Sequence, residues 1–264
     1  MRVIIVPTDF SENAFNALSC AQQYFKYEKS KFILVHTYAD EVYENKDVLS
    51  RDILEEYKAV KHKETEESLA LVLKQAMAQE PNPRHELVSH AIFGTLVDEV
   101  NSLVNSENAD LVIMGSQGKT ADRNITYGSN TLQVVKYVKC PVLGIPLGYK
   151  YERPERILFP SELLIPFKNR ELKLISCMAN SFRSELHLLY ISNFDRLSLR
   201  QEDVKSGWEY RFRESEQIYT RHDEGDIAQI INDHISSHKI DMVVLVNSKH
   251  TYMETLLHTS TIDQ

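Results

Sequence analysis

Cysteine, glycine and tryptophan are scarce in this chain. Of 264 residues, three are Cys, eight are Gly and one is Trp. Cys20, Cys140 and Cys177 are odd in number and have no C-x-x-C spacing, so a reducing cytoplasm is the expected setting. Positive charge is also in deficit. The formal net charge of −8 argues against a general nucleic-acid binder and gives no pull toward anionic membranes. No run of about 18 apolar residues occurs, so no transmembrane helix is expected. The opening MRVIIVPTDF has one basic residue and a short apolar run, too little for a signal peptide. What is present, 42% hydrophobic and 26% charged, is the composition of a soluble globular protein. Its length allows one large domain or two of ordinary size.

Strand and helix patterns alternate through the first half. Val3 to Val6 is a short buried strand, and Ser11 to Tyr27 spaces Ala14, Leu18, Ala21 and Phe25 as a helix does. Phe32 to Thr37 is a second strand. Val48 to Gln79 is a long charged helix, halted by Pro81 and Pro83. Glu86 to Ala91, Leu111 to Met114 and Pro141 to Ile145 are three further strands, separated by helices at Thr95–Val104 and Asn124–Val138. This alternation predicts an α/β fold, a parallel sheet with helices on both faces.

The pattern then restarts. "RILFPSEL" at Arg156 echoes "RVIIVPTDF" at Arg2, and "ELHLLYIS" at Glu185 echoes "KFILVHTY" at Lys31. "DMVVLVNSKHTYMETLLHTST" at Asp241 lies over "DLVIMGSQGKTADRNITYGSN" at Asp110 without a gap. An internal repeat of domain size follows. The expected organisation is residues 1–147, a linker at 148–155, and a shorter copy at 156–264. The second copy's middle helix shrinks to Leu197–Arg211. No counterpart of Pro141–Ile145 is present, so its fifth strand is missing.

The stretch "MGSQGKTADRNITYGSNT" at Met114 gathers three of the eight glycines. It is not a P-loop, because two residues rather than four separate Gly115 from Gly118. Nor is it a G-x-G-x-x-G dinucleotide loop. What remains is G-x2-G-x9-G-S, made by Gly115, Gly118, Gly128 and Ser129. Gly115 and Gly118 permit a sharp turn and a close approach to the backbone. Gly128 and Ser129 stand where a helix begins, whose N–H groups and dipole favour phosphate. A turn and a helix cap without a ligand is the plain alternative. The full four-residue spacing behind a buried strand favours the phosphate cradle.

At these residues the chain resembles the universal stress protein family. "VPTDFSENAFNAL", "LVHTY", "MGSQGKTADRNITYGS" and "CPVLGIP" carry the resemblance, which spans nearly all of 1–147 and, more weakly, 154–264. It implies a tandem arrangement of two open five-stranded parallel sheets, the second shortened. It also implies the family's ATP-binding branch. By that resemblance Asp9 faces ribose or phosphate, and Pro7 and Thr8 shape its turn. Thr37 stands at the adenine contact. Gly115, Gly118, Gly128 and Ser129 hold ribose and phosphates, with Met114 and Asn130 beside them and Gln117 and Lys119 as additional contacts. For Asp9 the alternative role is a cap on the following helix, and both roles can hold together. For Lys119 the alternative is a solvated loop lysine. The expected ligand is ATP or a related adenine nucleotide, and a triphosphate would bring Mg²⁺ with it.

The second copy replaces Gly115, Gly118 and Gly128 by Val246, Lys249 and Thr259, and Asp9 by Glu162. It is expected not to bind nucleotide in this way, but to cover, pair with or regulate the first copy. His234 and His238, four apart on a helix, are read as a surface pair, since no Glu follows His234 as in H-E-x-x-H. His36 is read as a satisfied core histidine, and Trp208 as part of the small domain's helix. Glu55, Glu56, Glu64, Glu66 and Glu67 are read as the wet face of the long helix. No nucleophile elbow or paired catalytic base appears, so a binding protein is expected rather than an enzyme, slow hydrolysis aside. Nucleotide-independent scaffolding is the competing expectation. The apolar edge strand Val142 to Ile145 is expected to recruit a second copy into a homodimer.

Overall fold

The computed structural model describes residues 1–45, 50–118, 127–192, 196–223 and 225–245. The chain divides into two units, Met1–Tyr151 and Glu152–Gln264. In the first, the order is β1 (Arg2–Pro7), α1 (Glu12–Tyr24), β2 (Ser30–Thr37), α2 (Ala39–Tyr43), α3 (Arg51–Gln79), β3 (His85–Ile92), α4 (Leu96–Ser106), β4 (Leu111–Gly115), α5 (Ser129–Tyr137) and β5 (Val142–Ile145). The five strands are parallel in the order β3-β2-β1-β4-β5. β1 is central because its Ile4, Ile5 and Val6 are wholly buried and need covering on both faces. Ile5, Ile33, Val35 and Val112 pack with Val100 and Val104 of α4 and Val134 of α5. Strand alternation leaves Ile4, Phe32 and Leu34 to the opposite face, where α1 and α3 lie.

The second unit runs β6 (Arg156–Pro160), α6 (Asn169–Phe182), β7 (Glu185–Ile191), α7 (Leu199–Arg211), β8 (Gln217–His222), α8 (Ile227–His238) and β9 (Met242–Val243). Its parallel sheet has the order β8-β7-β6-β9, which is the first sheet without β5. Four strands are found among the described residues. The same devices hold both sheets. Asp110 accepts the Val3 N–H at 3.0 Å while its own N–H reaches Val3 O at 2.8 Å. Asp241 accepts the N–H groups of Glu155 and Arg156 at 2.9 and 2.8 Å, and its own N–H reaches Arg156 O at 3.0 Å. After the first strand of each unit the chain makes one turn twice. Phe10 takes φ of 65° and donates to Thr8 Oγ1, and Leu163 takes φ of 58° and donates to Ser161 Oγ, both at 3.0 Å.

Several elements depart from the sequence expectation. The long helix begins at Arg51, where Ser50 accepts the Ile53 N–H; Val48 lies outside the described residues. α5 begins at Ser129 because Gly128 is its extended N-cap, although the apolar spacing runs back to Asn124. Residues 119–126 lie outside the description, Lys119 with them. α7 starts two residues later than expected, behind a capping box of Ser198 and Gln201. Trp208 is buried with Phe159 and Phe212, as a helix core residue should be. The surface pair is corrected: His234 is only 7% exposed, because that face of α8 turns onto β7 and meets His187.

The Asp241 clamp gives a direct test. Asp241→Ala leaves two N–H groups at the entrance of β6 without their acceptor. It is expected to cost the second unit about 1–2 kcal/mol. Urea denaturation followed by fluorescence of Trp208, the one tryptophan of the chain and a residue of this unit, reads the loss. An unmoved midpoint would mean that water satisfies those groups.

Candidate functional site

Strand order places a crevice in the first unit. From β1 the chain moves to β2 and β3 on one side, then crosses back to β4 and β5 on the other. The carboxyl ends of β1 and β4 therefore flank the switch point, where open α/β sheets receive ligands. Pro7, Thr8 and Asp9 lie at the end of β1, Thr37 ends β2, and Met114 to Gly118 end β4. Gly128, Ser129 and Asn130 open α5. Of the twelve residues singled out in the sequence, eleven are described, and all stand on this rim.

Each is held there by local physics. Thr8 N donates to Val35 O at 2.9 Å, and Asp9 Oδ1 accepts the Ser11 N–H at 3.1 Å, just before Ser11 caps α1. Asp9 thus serves the helix start, and its second oxygen, Oδ2, lies directly against Gly118, where a Cβ would strike it. Ser116 N donates to Ile145 O at 2.8 Å, and Gly128 N to Ser116 O at 2.8 Å, so the end of β4 carries the start of α5. Thr131 Oγ1 donates to Gly115 O at 3.0 Å from the first turn of that helix. Among the described residues no side chain hydrogen-bonds at the α5 cap. A Cβ on Gly128 would sit 3.7 Å from Gln117 Cα, in ordinary contact. Gln117 is 8% exposed and its Oε1 has no hydrogen-bond partner among the described residues.

Gly115 has a reason that sequence alone does not show. A Cβ there would come within 2.5 Å of Asn13 Nδ2 and 3.2 Å of the Asn13 backbone. Asn13 Nδ2 donates to Gln117 O at 3.0 Å, and its buried Oδ1 has no partner among the described residues. This asparagine, 102 positions from the glycine, had no role in the sequence reading. Behind the β1 turn a second group was also missed. His36 is buried as expected, with Nδ1 2.7 Å from Thr8 O and Nε2 2.9 Å from Glu41. Glu41 pairs with Lys61 at 2.7 Å. Burial works to raise the Glu41 carboxyl, but Lys61 and His36 hold it below the usual range. Phe10, His36, Glu41, Lys61, Thr65 and Val72 are among the lining of a pocket of about 390 Å³. Short i, i+5 spacing could have linked His36 with Glu41; nothing local marks Lys61.

The rim of the second unit is built otherwise. Tyr190 stands in register with the place of His36, and Gln201 Nε2 donates to its hydroxyl at 3.1 Å and to Glu162 O at 2.9 Å. Val246, Lys249 and Thr259 lie outside the described residues.

Comparison with known proteins now bears on this geometry. The model of the universal stress protein family matches residues 1–146. The chain belongs to that family. Universal stress protein MJ0577 of Methanocaldococcus jannaschii is 28% identical over 151 residues, covering 54% of this chain and 93% of its own. A universal stress protein from Archaeoglobus fulgidus has the same fold across both units, with a TM-score of 0.62 at 19% identity over 98% of this chain and 92% of its own. A solved universal stress protein in complex with cAMP covers 55% of this chain and 95% of its own at 20% identity, with a TM-score of 0.38. No described helix of this family member is long and apolar enough to cross a membrane.

Gly115→Val tests the packing role. The added side chain meets helix backbone as well as a side chain, so overpacking of about 1–3 kcal/mol is expected in the first unit. Far-UV circular dichroism in urea reads it, while the Trp208 transition stays in place. Unchanged stability would show that α1 can move aside.

Proposed function

We propose that the first unit binds an adenine nucleotide, ATP or a close relative, and that the chain is a stress-response regulator whose nucleotide state partner proteins read. The observation that carries this reading is the rim between β1 and β4. There an α5 N-terminus without a side-chain cap, the unpartnered Gln117 Oε1 and the side-chain-free Gly118 and Gly128 converge. These features suit phosphate. Helix N–H groups and dipole favour its charge, and glycine lets its oxygens reach the backbone. Adenine and ribose come from the family resemblance, which assigns Thr37 to adenine and Asp9, Gly115, Gly118, Gly128 and Ser129 to ribose and phosphates. Gln117 would add a contact, Met114 and Asn130 would flank the ligand, and Lys119 would belong to the same loop. Pro7 and Thr8 set the turn that presents Asp9. Mg²⁺ would come with a triphosphate. Binding rather than turnover is the role, in a cytoplasmic setting, and the unit boundaries of 1–147 and 156–264 belong to this reading.

A second reading has its own observation. Gly115 is accounted for by Asn13 alone, which fits a nucleotide-independent scaffold. Isothermal titration with ATP separates the two. One site per chain is expected, with at least a tenfold loss of affinity in Gly118→Val, whose side chain displaces the Asp9 carboxylate and fills the phosphate approach. Two equivalent sites, or wild-type affinity in the variant, would refute the cradle. No binding would favour the scaffold.

The same reading includes a homodimer through β5, an edge strand that pairs with β4 alone among the described strands. Val142, Leu143 and Gly144 are half-buried there, and an apolar edge invites pairing. Sedimentation at several concentrations should give twice 30.5 kDa. Leu143→Glu should shift the mass toward the monomer, because a carboxylate in an apolar contact is costly. A concentration-independent monomer mass in the wild type, or a dimer indifferent to the variant, would place the chain's contacts elsewhere.

A further inference from the structure

The second unit carries a cluster unrelated to the nucleotide rim, at the amino end of its own sheet. His187 is the third residue of β7, and His234 and His238 lie on the last turns of α8. One ring nitrogen from each of the three lies within 4.8 Å of the other two. His187 is 1% exposed and His234 7%. The register shows what His187 replaces. It pairs with Leu158 as Ile33 pairs with Ile5, so an imidazole stands where the first unit has a wholly buried isoleucine. A polar ring in such a place requires compensation.

The compensation is specific. His187 Nε2 bonds to the Glu185 carboxylate, an acceptor only. The proton is therefore on Nε2, and the Nδ1 lone pair faces the cluster. That Nδ1 is 3.3 Å from His234 Nε2. His238 Nδ1 lies 3.2 Å from His234 O and 3.0 Å from Ser237 Oγ, and in the tautomer that donates to that carbonyl the Nε2 lone pair of His238 is free. A zinc ion with bonds of about 2.0–2.1 Å holds two tetrahedral nitrogens about 3.3–3.4 Å apart. His187 and His234 already have that separation. His234 and His238 are stacked at 4.0 Å between centroids, so His238, the exposed member, is the ring that would turn to complete the set.

We propose that His187, His234 and His238 form a site for a first-row divalent transition-metal ion, with Zn²⁺ as the best match to three neutral imidazoles. Glu185 is the outer partner that fixes the His187 tautomer, a recurrent arrangement behind metal-bound histidine. The carboxyl end of α8 adds the negative pole of its dipole beside His238. Among charged neighbours, Arg156 faces His187 and opposes a cation, and Glu185 offsets it. Burial and the neighbouring histidines push His234 down to about 4, so the ring is neutral and available near neutral pH. Without metal, a proton on His234 Nε2 bridges to His187 Nδ1. Metal binding at Nε2 requires the neutral ring to carry that single proton on Nδ1 instead, with no net proton released, and the fourth position is left to water. This site stands independently of the nucleotide reading.

The test uses the full-length, tag-free chain and Zn²⁺ alone. Calorimetric titration should give one saturable site per chain. Co²⁺ in its place should give visible absorption bands of a low-coordinate site. His238→Ala, at an exposed position, should keep the circular dichroism spectrum and lower affinity at least tenfold. Glu185→Gln should lower it about 10–100-fold. Absence of a saturable site, or equal affinity in the wild type and both variants, would overturn the proposal and leave a hydrogen-bonded histidine cluster.

Discussion

The rim of the first unit depends on one close approach, between the end of β4 and the first turn of α1. Gly115 has no room for a Cβ because Asn13 fills that space. The Asn13 amide then donates to Gln117 O at 3.0 Å, which pins the chain just beyond the strand. Ser116 is tied to Ile145, and Gly128 to Ser116. From this contact outward, the chain just beyond β4 and the start of α5 are tied together. A glycine that a motif search assigns to ligand approach is thus also required by helix-on-strand packing. The two demands are compatible, since both need backbone without a side chain at one place.

The duplicated units show which parts of this design are about folding. The aspartate clamps at Asp110 and Asp241 recur, as do the left-handed residues Phe10 and Leu163 with their hydroxyl anchors. Those features set the entry and exit of the central strand, and both sheets need them. Among the described residues the rim chemistry does not recur. In place of the buried His36, bonded to Thr8 O and Glu41, the second unit has Tyr190 bonded to Gln201. Fold-defining contacts persisted, whereas the surface at the strand ends was free to change.

How much of this the sequence could reveal follows from the range of each interaction. Apolar runs and periodicity located β1, α1 and β4, because burial acts on neighbouring residues. Ser11 was recognisable as a helix start, and the repeat was visible because its clamp aspartate precedes an apolar run both times. The rim residues came from spacing and resemblance together. Asn13 did not, since its partner is far away in sequence. The short α2 carries too few residues for any period. His187 escaped for the same reason as Asn13: it lies 47 positions from His234, inside what reads as an ordinary apolar strand. With only the i, i+4 pair in view, a solvated helix face was the natural conclusion.

That error has a physical lesson about buried polar residues in strands. A histidine at an interior position costs free energy unless every polar atom is met. In β7 the cost is offset on both sides of one ring, by Glu185 through Nε2 and by His234 through Nδ1. The first unit solves the same position with Ile33, which needs no partners. Hydrophobic packing would have served the fold equally well, so stability alone does not select the polar arrangement. A carboxylate that fixes a tautomer, and three imidazoles whose ring nitrogens gather within 4.8 Å, are features that a core does not require and a ligand does. The second unit therefore carries chemistry of its own at the amino end of its sheet.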